Sequence, residues 1–241
     1  MAAELFLKRV AIDMPDDEPL PNEYPFDLPA IRNLDERKFT SPVTVFVGEN
    51  GSGKSTLLEA LAVSLGLNAE GGSKNLRFST RDSHSSLADR LRLTRNGRPK
   101  DAFFLRAESF YNVATKIEDV GAGHHYGPAG LHEQSHGEAF LSLVISRFGG
   151  PGIYLMDEPE AALSPQRQLS MLVRMHELVK GGSQIILATH SPMLMSYPGT
   201  DIWHFEEHGI GSVAAEDTEH WQLMRNFLNR PGVMLHELLR D

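Results

Sequence analysis

Apolar residues gather along this chain in short unbroken runs separated by longer amphipathic stretches. Val43-Thr-Val-Phe-Val47, Ile153-Tyr-Leu-Met156 and Gln184-Ile-Ile-Leu-Ala188 are apolar and too short for helices, so each predicts a buried strand. Leu5 to Ile12 alternates well enough to predict a first strand. Ser55–Leu67, Glu138–Phe148 and Gln166–Lys180 place their apolar residues at helical spacing. Trp221–Leu228 and Val233–Leu239 do the same, interrupted at Pro231-Gly232. Residues 13–29 are rich in Pro, Asp and Glu, residues 121–130 are rich in glycine, and both predict loops. Asn96-Gly97, lying between Leu91–Thr94 and Phe103–Leu105, predicts a hairpin turn. Buried strands alternating with helices predict an α/β fold, with a mainly parallel sheet flanked by helices and an N-terminal antiparallel β portion. One domain is expected over residues 1–241, including a basic β-hairpin at 74–105 and a C-terminal helical segment at 218–241.

Composition narrows the chemistry. The 241 residues include no cysteine, which excludes disulfides and cysteine-based metal or redox sites. No run approaches the roughly 20 apolar residues of a membrane span. The start lacks the basic and apolar regions of a signal peptide, so a cytoplasmic protein is expected. A net charge of −9 argues against wholesale coating of nucleic acid. The charge is uneven, however. From Lys74 to Lys100, eight basic side chains face only Asp82 and Asp89. Such a run is ordinarily a solvated face. Its other reading is a patch for DNA phosphates or a partner, built from Lys74, Arg77, Arg81, Arg90, Arg92, Arg95 and Arg98.

Two motifs carry phosphate chemistry. Gly48-Glu49-Asn50-Gly51-Ser52-Gly53-Lys54-Ser55 follows a strand and opens a helix, the context a phosphate-binding loop requires. Its glycines let backbone N–H groups turn inward around phosphate oxygens, and the helix N-terminus adds partial positive charge. Lys54 is placed for the β- and γ-phosphates of ATP, Ser55 for Mg²⁺, and Thr56 continues the loop into the helix. The second motif is the strand Ile153–Met156, ending in Asp157 and Glu158. There Asp157 is a Mg²⁺ ligand and Glu158 a general base for water. His124, His125, His132 and His136 are read as surface-loop histidines or as neighbours of the phosphate-sensing loop rather than as a metal site.

With these residues on the page, the sequence resembles the ABC-type ATPases. Gln134-Ser-His-Gly-Glu138 is similar to their signature, Asp157-Glu-Pro-Glu-Ala-Ala-Leu-Ser164 to the second Walker motif running into the D-loop, and Ile185-Ile-Leu-Ala-Thr-His190 to the switch-histidine strand. The resemblance spans Leu5 to Pro192. It implies that Ser135, Gly137 and Glu138 face the nucleotide of a second copy, that His190 senses the γ-phosphate, and that ATP closes a head-to-tail homodimer. Two positions depart from the pattern: Ser164 replaces the usual Asp, and Arg106-Ala-Glu108 stands where a glutamine is expected. Glu108 is the candidate metal-side residue there, with Arg106 as a candidate phosphate contact. Tyr24 and Phe26 precede the loop, and packing rather than adenine stacking is expected of both.

Little chain separates Ser109 from Gln134, which argues against the subdomain that docks transporter ATPases on a membrane partner. The sequence therefore leans to the stand-alone soluble group related to SMC, RecF and defence-system ATPases, serving a separate protein effector or DNA. A transporter ATPase subunit and a nucleotide switch with little hydrolysis are the alternatives.

Overall fold

The computed structural model describes residues 5–13, 19–73, 86–119 and 133–240. In chain order these form β1 (Leu7–Ile12), α1 (Pro29–Arg32), β2 (Arg37–Lys38), β3 (Val43–Gly48), α2 (Lys54–Ser64), β4 (Leu91–Arg95), β5 (Asp101–Arg106), α3 (Phe110–Asp119) and α4 (His136–Arg147). Then follow β6 (Gly152–Asp157), α5 (Pro165–Lys180), β7 (Gln184–Ala188), α6 (Pro192–Met195), β8 (Asp201–Glu206), β9 (Gly209–Ser212), α7 (Glu219–Asn229) and α8 (Pro231–Leu238).

The main sheet has the order β5-β6-β7-β3-β8-β9, all parallel except β9, which returns antiparallel on β8. Strand periodicity divides its buried side chains between two cores. Val43, Val45, Val47, Met156, Ile185 and Leu187 join the core shared with α3, α4 and α5. Phe46, Leu155, Ile186 and Ala188 turn the other way, onto α2 and a smaller antiparallel sheet of order β2-β1-β4. Coverage on both faces is why β3, β6 and β7 read as continuous apolar runs rather than as alternation. One buried side chain ties the two sheets together. The Gln184 amide accepts from Leu7 N–H at 2.9 Å and donates to the Leu7 carbonyl at 3.0 Å.

The expected hairpin is not formed. β4 pairs with β1 in the small sheet, whereas β5 pairs with β6 at the edge of the large one. Asn96-Gly97 does turn the chain, with Gly97 at φ +67°. The turn passes the chain from one layer to the other, held by Asn96 N–H on the Phe6 carbonyl at 2.7 Å and Lys100 N–H on the Pro151 carbonyl at 3.2 Å. The physical cause lies in the strands. β5 buries Ala102 to Leu105 on both sides, and β4 is half exposed, so the two suit different sheets. Lys74, Arg77 and Arg81 lie outside the described residues, as do His124, His125 and His132. Of the other basic residues, Arg92 pairs with Asp13 at 3.7 Å and Arg95 donates to the Ser64 carbonyl.

In the stretch after Ser109, expected to leave little room, the described residues form one helix, α3. Phe110, Val113, Ala114 and Ile117 supply its buried face. The C-terminal segment forms α7 and α8 as expected and leaves Leu223, Met224, Leu228, Val233 and Leu238 exposed. Among the described residues no helix is long and apolar enough to cross a membrane.

Candidate functional site

The C-terminal ends of β3, β5, β6 and β7 converge on one point, which is where open parallel sheets bind ligands. From β3 the chain enters the loop 48–53. A Cβ on Gly48, at φ +143°, would lie 2.6 Å from the Phe205 carbonyl of the neighbouring strand, so glycine is required where the loop leaves the sheet. Gly53 then starts α2 in the left-handed region. No side chain caps this helix and no acidic residue lies in its first turn, so its leading N–H groups remain available to an anion. Lys54 is buried beneath the loop and donates to the carbonyls of Gly48 at 2.9 Å and Glu49 at 2.7 Å. Burial lowers its pKa, and Glu158, Asp157 and Glu160 push the other way.

Ser55 and Asp157 meet although far apart in sequence: the hydroxyl donates to Asp157 Oδ1 at 2.8 Å. They line a cavity of about 370 Å³ together with Arg106, Glu108, His136 and Glu158. A hydroxyl and a carboxylate side by side in a water-accessible cavity are hard oxygen donors, and they fit Mg²⁺. The Arg106 guanidinium occupies the electrostatic niche beside them. It pairs with Glu59 at 2.7 Å, Asp157 Oδ2 at 3.3 Å and Glu108 at 3.8 Å. Its Nε makes no hydrogen bond, so the contact with Asp157 is one of charge. Burial raises the pKa of Asp157, and Arg106 and then Ser55 pull it back. Glu108 reaches the cavity only at its rim, with its side chain 89% exposed.

Glu158 follows with φ +48°, the only non-glycine residue of positive φ among those described. Such a conformation is costly and persists only where its surroundings enforce it. Here the enforcement comes from Glu158 N–H on the Ala188 carbonyl at 2.9 Å and the 3-10 turn Pro159–Ala162 that follows. The carboxylate Oε1 stands 3.8 Å from His190 Nε2. Glu160, given no role of its own in the sequence reading, accepts the His190 N–H at 2.5 Å and fixes the end of β7. Burial, then Lys54 and His220, bring the His190 imidazole down to about 4.

The signature-like residues open α4. Ser135 N–H and Oγ both donate to the Glu138 carboxylate, at 3.1 and 2.6 Å, forming a capping box. Glu138 also pairs with Arg167 at 2.8 Å. Gly137 packs against the turn after Glu158, where a Cβ would lie 2.7 Å from the Ala162 carbonyl. Ser164 caps α5 by accepting Arg167 N–H at 3.4 Å. His136 stacks on Tyr111, with ring centroids 4.9 Å apart. The two aromatics before the loop part company. Phe26 is buried, whereas Tyr24 is exposed and bonds Thr56 Oγ1 at 3.1 Å. A second cleft, of about 440 Å³, runs along the outer side of the loop, but Glu49, Glu206, Glu207 and Glu219 make it a poor place for phosphate.

A family model described as "AAA domain" matches residues 30–117, and one described as "AAA domain, putative AbiEii toxin, Type IV TA system" matches residues 138–196. Among solved structures, cbiO1 from Clostridium perfringens, part of the ABC transporter complex cbiONQ, superposes with TM-score 0.51 at 16% identity, over 95% of this chain and 97% of that one. The fold is that of an ABC-type P-loop ATPase head. An SMC head bound to the C-terminal winged-helix domain of ScpA gives TM-score 0.53 at 14% identity, over 88% of this chain and 99% of that one. A curated relative, ABC transporter G family member STR2 of Medicago truncatula, is 28% identical over 171 residues, 62% of this chain. The match spans only 24% of that relative's length.

Proposed function

We propose that this ATPase head is a single cytoplasmic domain that binds Mg·ATP and hydrolyses it between two copies joined head to tail. The observation that carries the reading is the convergence of Lys54, Ser55, Asp157 and Glu158 at the ends of two strands, β3 and β6, beside an uncapped helix start. The loop from Gly48 to Ser52 and the first amides of α2 receive the phosphates, and Lys54 turns its ammonium from the loop carbonyls to the β- and γ-phosphates. Ser55 and Asp157 hold Mg²⁺, with Glu108 at the rim. When bound, the ion neutralises phosphate charge. Glu158 orients a water and takes its proton, and the His190 imidazole stands beside its carboxylate. Ser135 and Gly137 meet the other copy's nucleotide only once Glu138 releases the Ser135 N–H. Arg167 stands ready to keep that carboxylate.

ATP turnover and light scattering of the wild type beside Glu158→Gln, with and without DNA at fixed salt, test this. Turnover lost in the variant together with an ATP-dependent dimer is expected. A strictly monomeric variant under saturating Mg·ATP overturns the sandwich, and a wild type without turnover leaves a nucleotide switch. Stimulation by DNA assigns the window around Arg90, Arg92, Arg95 and Arg98 to phosphate contact. Its absence sends the search to a separate protein effector. The likeness to transporter proteins favours a second reading, a transporter ATPase subunit. Against it, only residues 120–135 separate α3 from α4.

A further inference from the structure

His220 lies thirty positions from His190 and belongs to no motif, yet the two imidazoles touch. His190 Nδ1 and His220 Nε2 are 2.9 Å apart, with ring centroids at 4.5 Å. We propose that His220 is a positioning residue: its Nε2–H donates to His190 Nδ1 and so leaves the single hydrogen of His190 on Nε2, aimed at Glu158. The inference rests on reading His190 as part of the hydrolytic site.

The argument is one of hydrogen accounting. A bond between two imidazole nitrogens needs a hydrogen on one and a lone pair on the other, and that choice fixes the tautomer. If His190 donated through Nδ1, its Nε2 would be a bare lone pair. It would then face the Glu158 carboxylate at 3.8 Å, one acceptor against another. Nε2 is buried and has no other hydrogen-bond partner to reward that arrangement. If His220 donates, Nε2 carries hydrogen and its bond dipole points at the carboxylate. Protonating both nitrogens of His190 is opposed by burial and by the Lys54 ammonium. The surviving state turns a neutral N–H donor toward the Glu158 carboxylate.

The contact is held from two sides. His220 is the second residue of α7, after Thr218, whose buried hydroxyl bonds the Ala215 carbonyl at 2.7 Å. Trp221 Nε1 donates to Ser196 Oγ at 3.3 Å, at the end of the short helix that follows His190 directly. The start of α7 is thereby pinned to the same element that carries His190. Hydrogen-bond partners that orient metal-ligating histidines cost roughly 10–100-fold in activity when removed, and His220 stands to His190 in the same relation.

The test uses the full chain with ¹⁵N-labelled histidine. Long-range ¹H–¹⁵N spectra of the nucleotide-free protein give each ring's tautomer, and the His190 signals are assigned by their loss in His190→Gln. The wild type is expected to carry the His190 hydrogen on Nε2. His220→Ala is expected to mix the two tautomers and lower kcat by about 10-fold or more with KM for ATP within about twofold. His220→Gln, whose amide can donate from a similar place, is expected to restore both. A His190 hydrogen on Nδ1 in the wild type, or an unchanged tautomer in His220→Ala, overturns the proposal. A glutamine variant as slow as the alanine one, with both melting like the wild type, overturns it too. A wild-type chain without turnover sinks the hydrolysis reading alone, since the tautomer is read with no nucleotide present.

Discussion

Replacing Arg106 by glutamine puts the residue that ABC-type ATPases are expected to carry back into this site, and the structure says the change is costly. Arg106 is the cation between Glu59 and Asp157, whose side chains are 18% and 7% exposed. Removing one partner of a buried ion pair costs about 3–5 kcal/mol, because the remaining charge stays desolvated. Two features reduce this. The cavity admits water beside Asp157, and the glutamine amide can keep one hydrogen bond worth about 1 kcal/mol. A net loss of about 2–3 kcal/mol follows. For a domain of this size that is a fall in Tm of roughly 5–10 °C.

The deficit has a pH signature. Burial already raises the Asp157 pKa and Arg106 is the main influence lowering it, so the variant's carboxyl is raised further. A raised carboxyl binds its proton more tightly when folded. The deficit is then full above that raised value and shrinks as the pH falls. Urea denaturation of both proteins in EDTA, at pH 8 and pH 5, measures it. Added Mg²⁺ should recover more stability in the variant than in the wild type, because the cation replaces the lost guanidinium. A loss below about 0.5 kcal/mol at pH 8 would refute the view of Arg106 as the charge that holds this site together, as would a Mg²⁺ effect equal in both proteins.

Other changes probe separate parts of the structure. Gly137→Ala places a Cβ 2.7 Å from the Ala162 carbonyl and 3.0 Å from Arg167 Nη1, and a loss of about 1–3 kcal/mol is expected. An unaltered melting curve would show that α4 does not pack there. Asp101→Asn disturbs a network remote from the nucleotide, in which Arg147 donates to both carboxylate oxygens at 2.9 and 2.8 Å and the Tyr154 hydroxyl, its pKa pushed up to about 12, donates at 3.0 Å. It should cost about 1.5–3 kcal/mol by urea titration and leave ATP turnover per folded molecule unchanged. His190, at about 4 when folded against an ordinary 6.5, contributes stability that is complete above about pH 6.5 and is lost as the pH falls toward 4, by at most about 3 kcal/mol. His190→Gln should therefore flatten the stability-against-pH curve across that window, and a variant with the wild-type slope would refute the assignment.

How much of this was legible in the sequence depends on the range of the interaction that decides it. The strand, glycine loop and helix from Val43 to Ser64 are local. Each residue's role is set by neighbours within a turn or two, and the elements fall where periodicity puts them. The acidic pair after β6 and the histidine after β7 were legible for the same reason, since an apolar run that stops at a polar side chain marks a strand end wherever the strand lies. The 91–105 stretch was misread because Asn96-Gly97 reports a turn and not a pairing. Whether two strands meet is decided by β1 and β6, far along the chain. The helix α3 was missed because its four core residues were counted as spacing between motifs.

The site itself divides along the same line. Ser55 and Asp157 were assigned separately by motif, and the sheet brings them to 2.8 Å. Arg106 was read as a phosphate contact, Glu160 went without a role inside the 157–164 stretch, and His220 lies in no motif, yet each acts by touching a motif residue: Arg106 on Asp157, Glu160 on the His190 amide, His220 on the His190 ring. No pattern reads such contacts, because they are fixed by the edge strand, the turn and the C-terminal helix that deliver these residues. They are also the groups that set the charge and hydrogen position of the motif residues. Two chains with the same motifs can therefore differ at these positions and differ in how their common residues are charged and aimed. Here an arginine beside Asp157 and a second histidine behind the first make the charge balance of the site and the direction of its N–H donor properties of this sequence rather than of the motifs it contains.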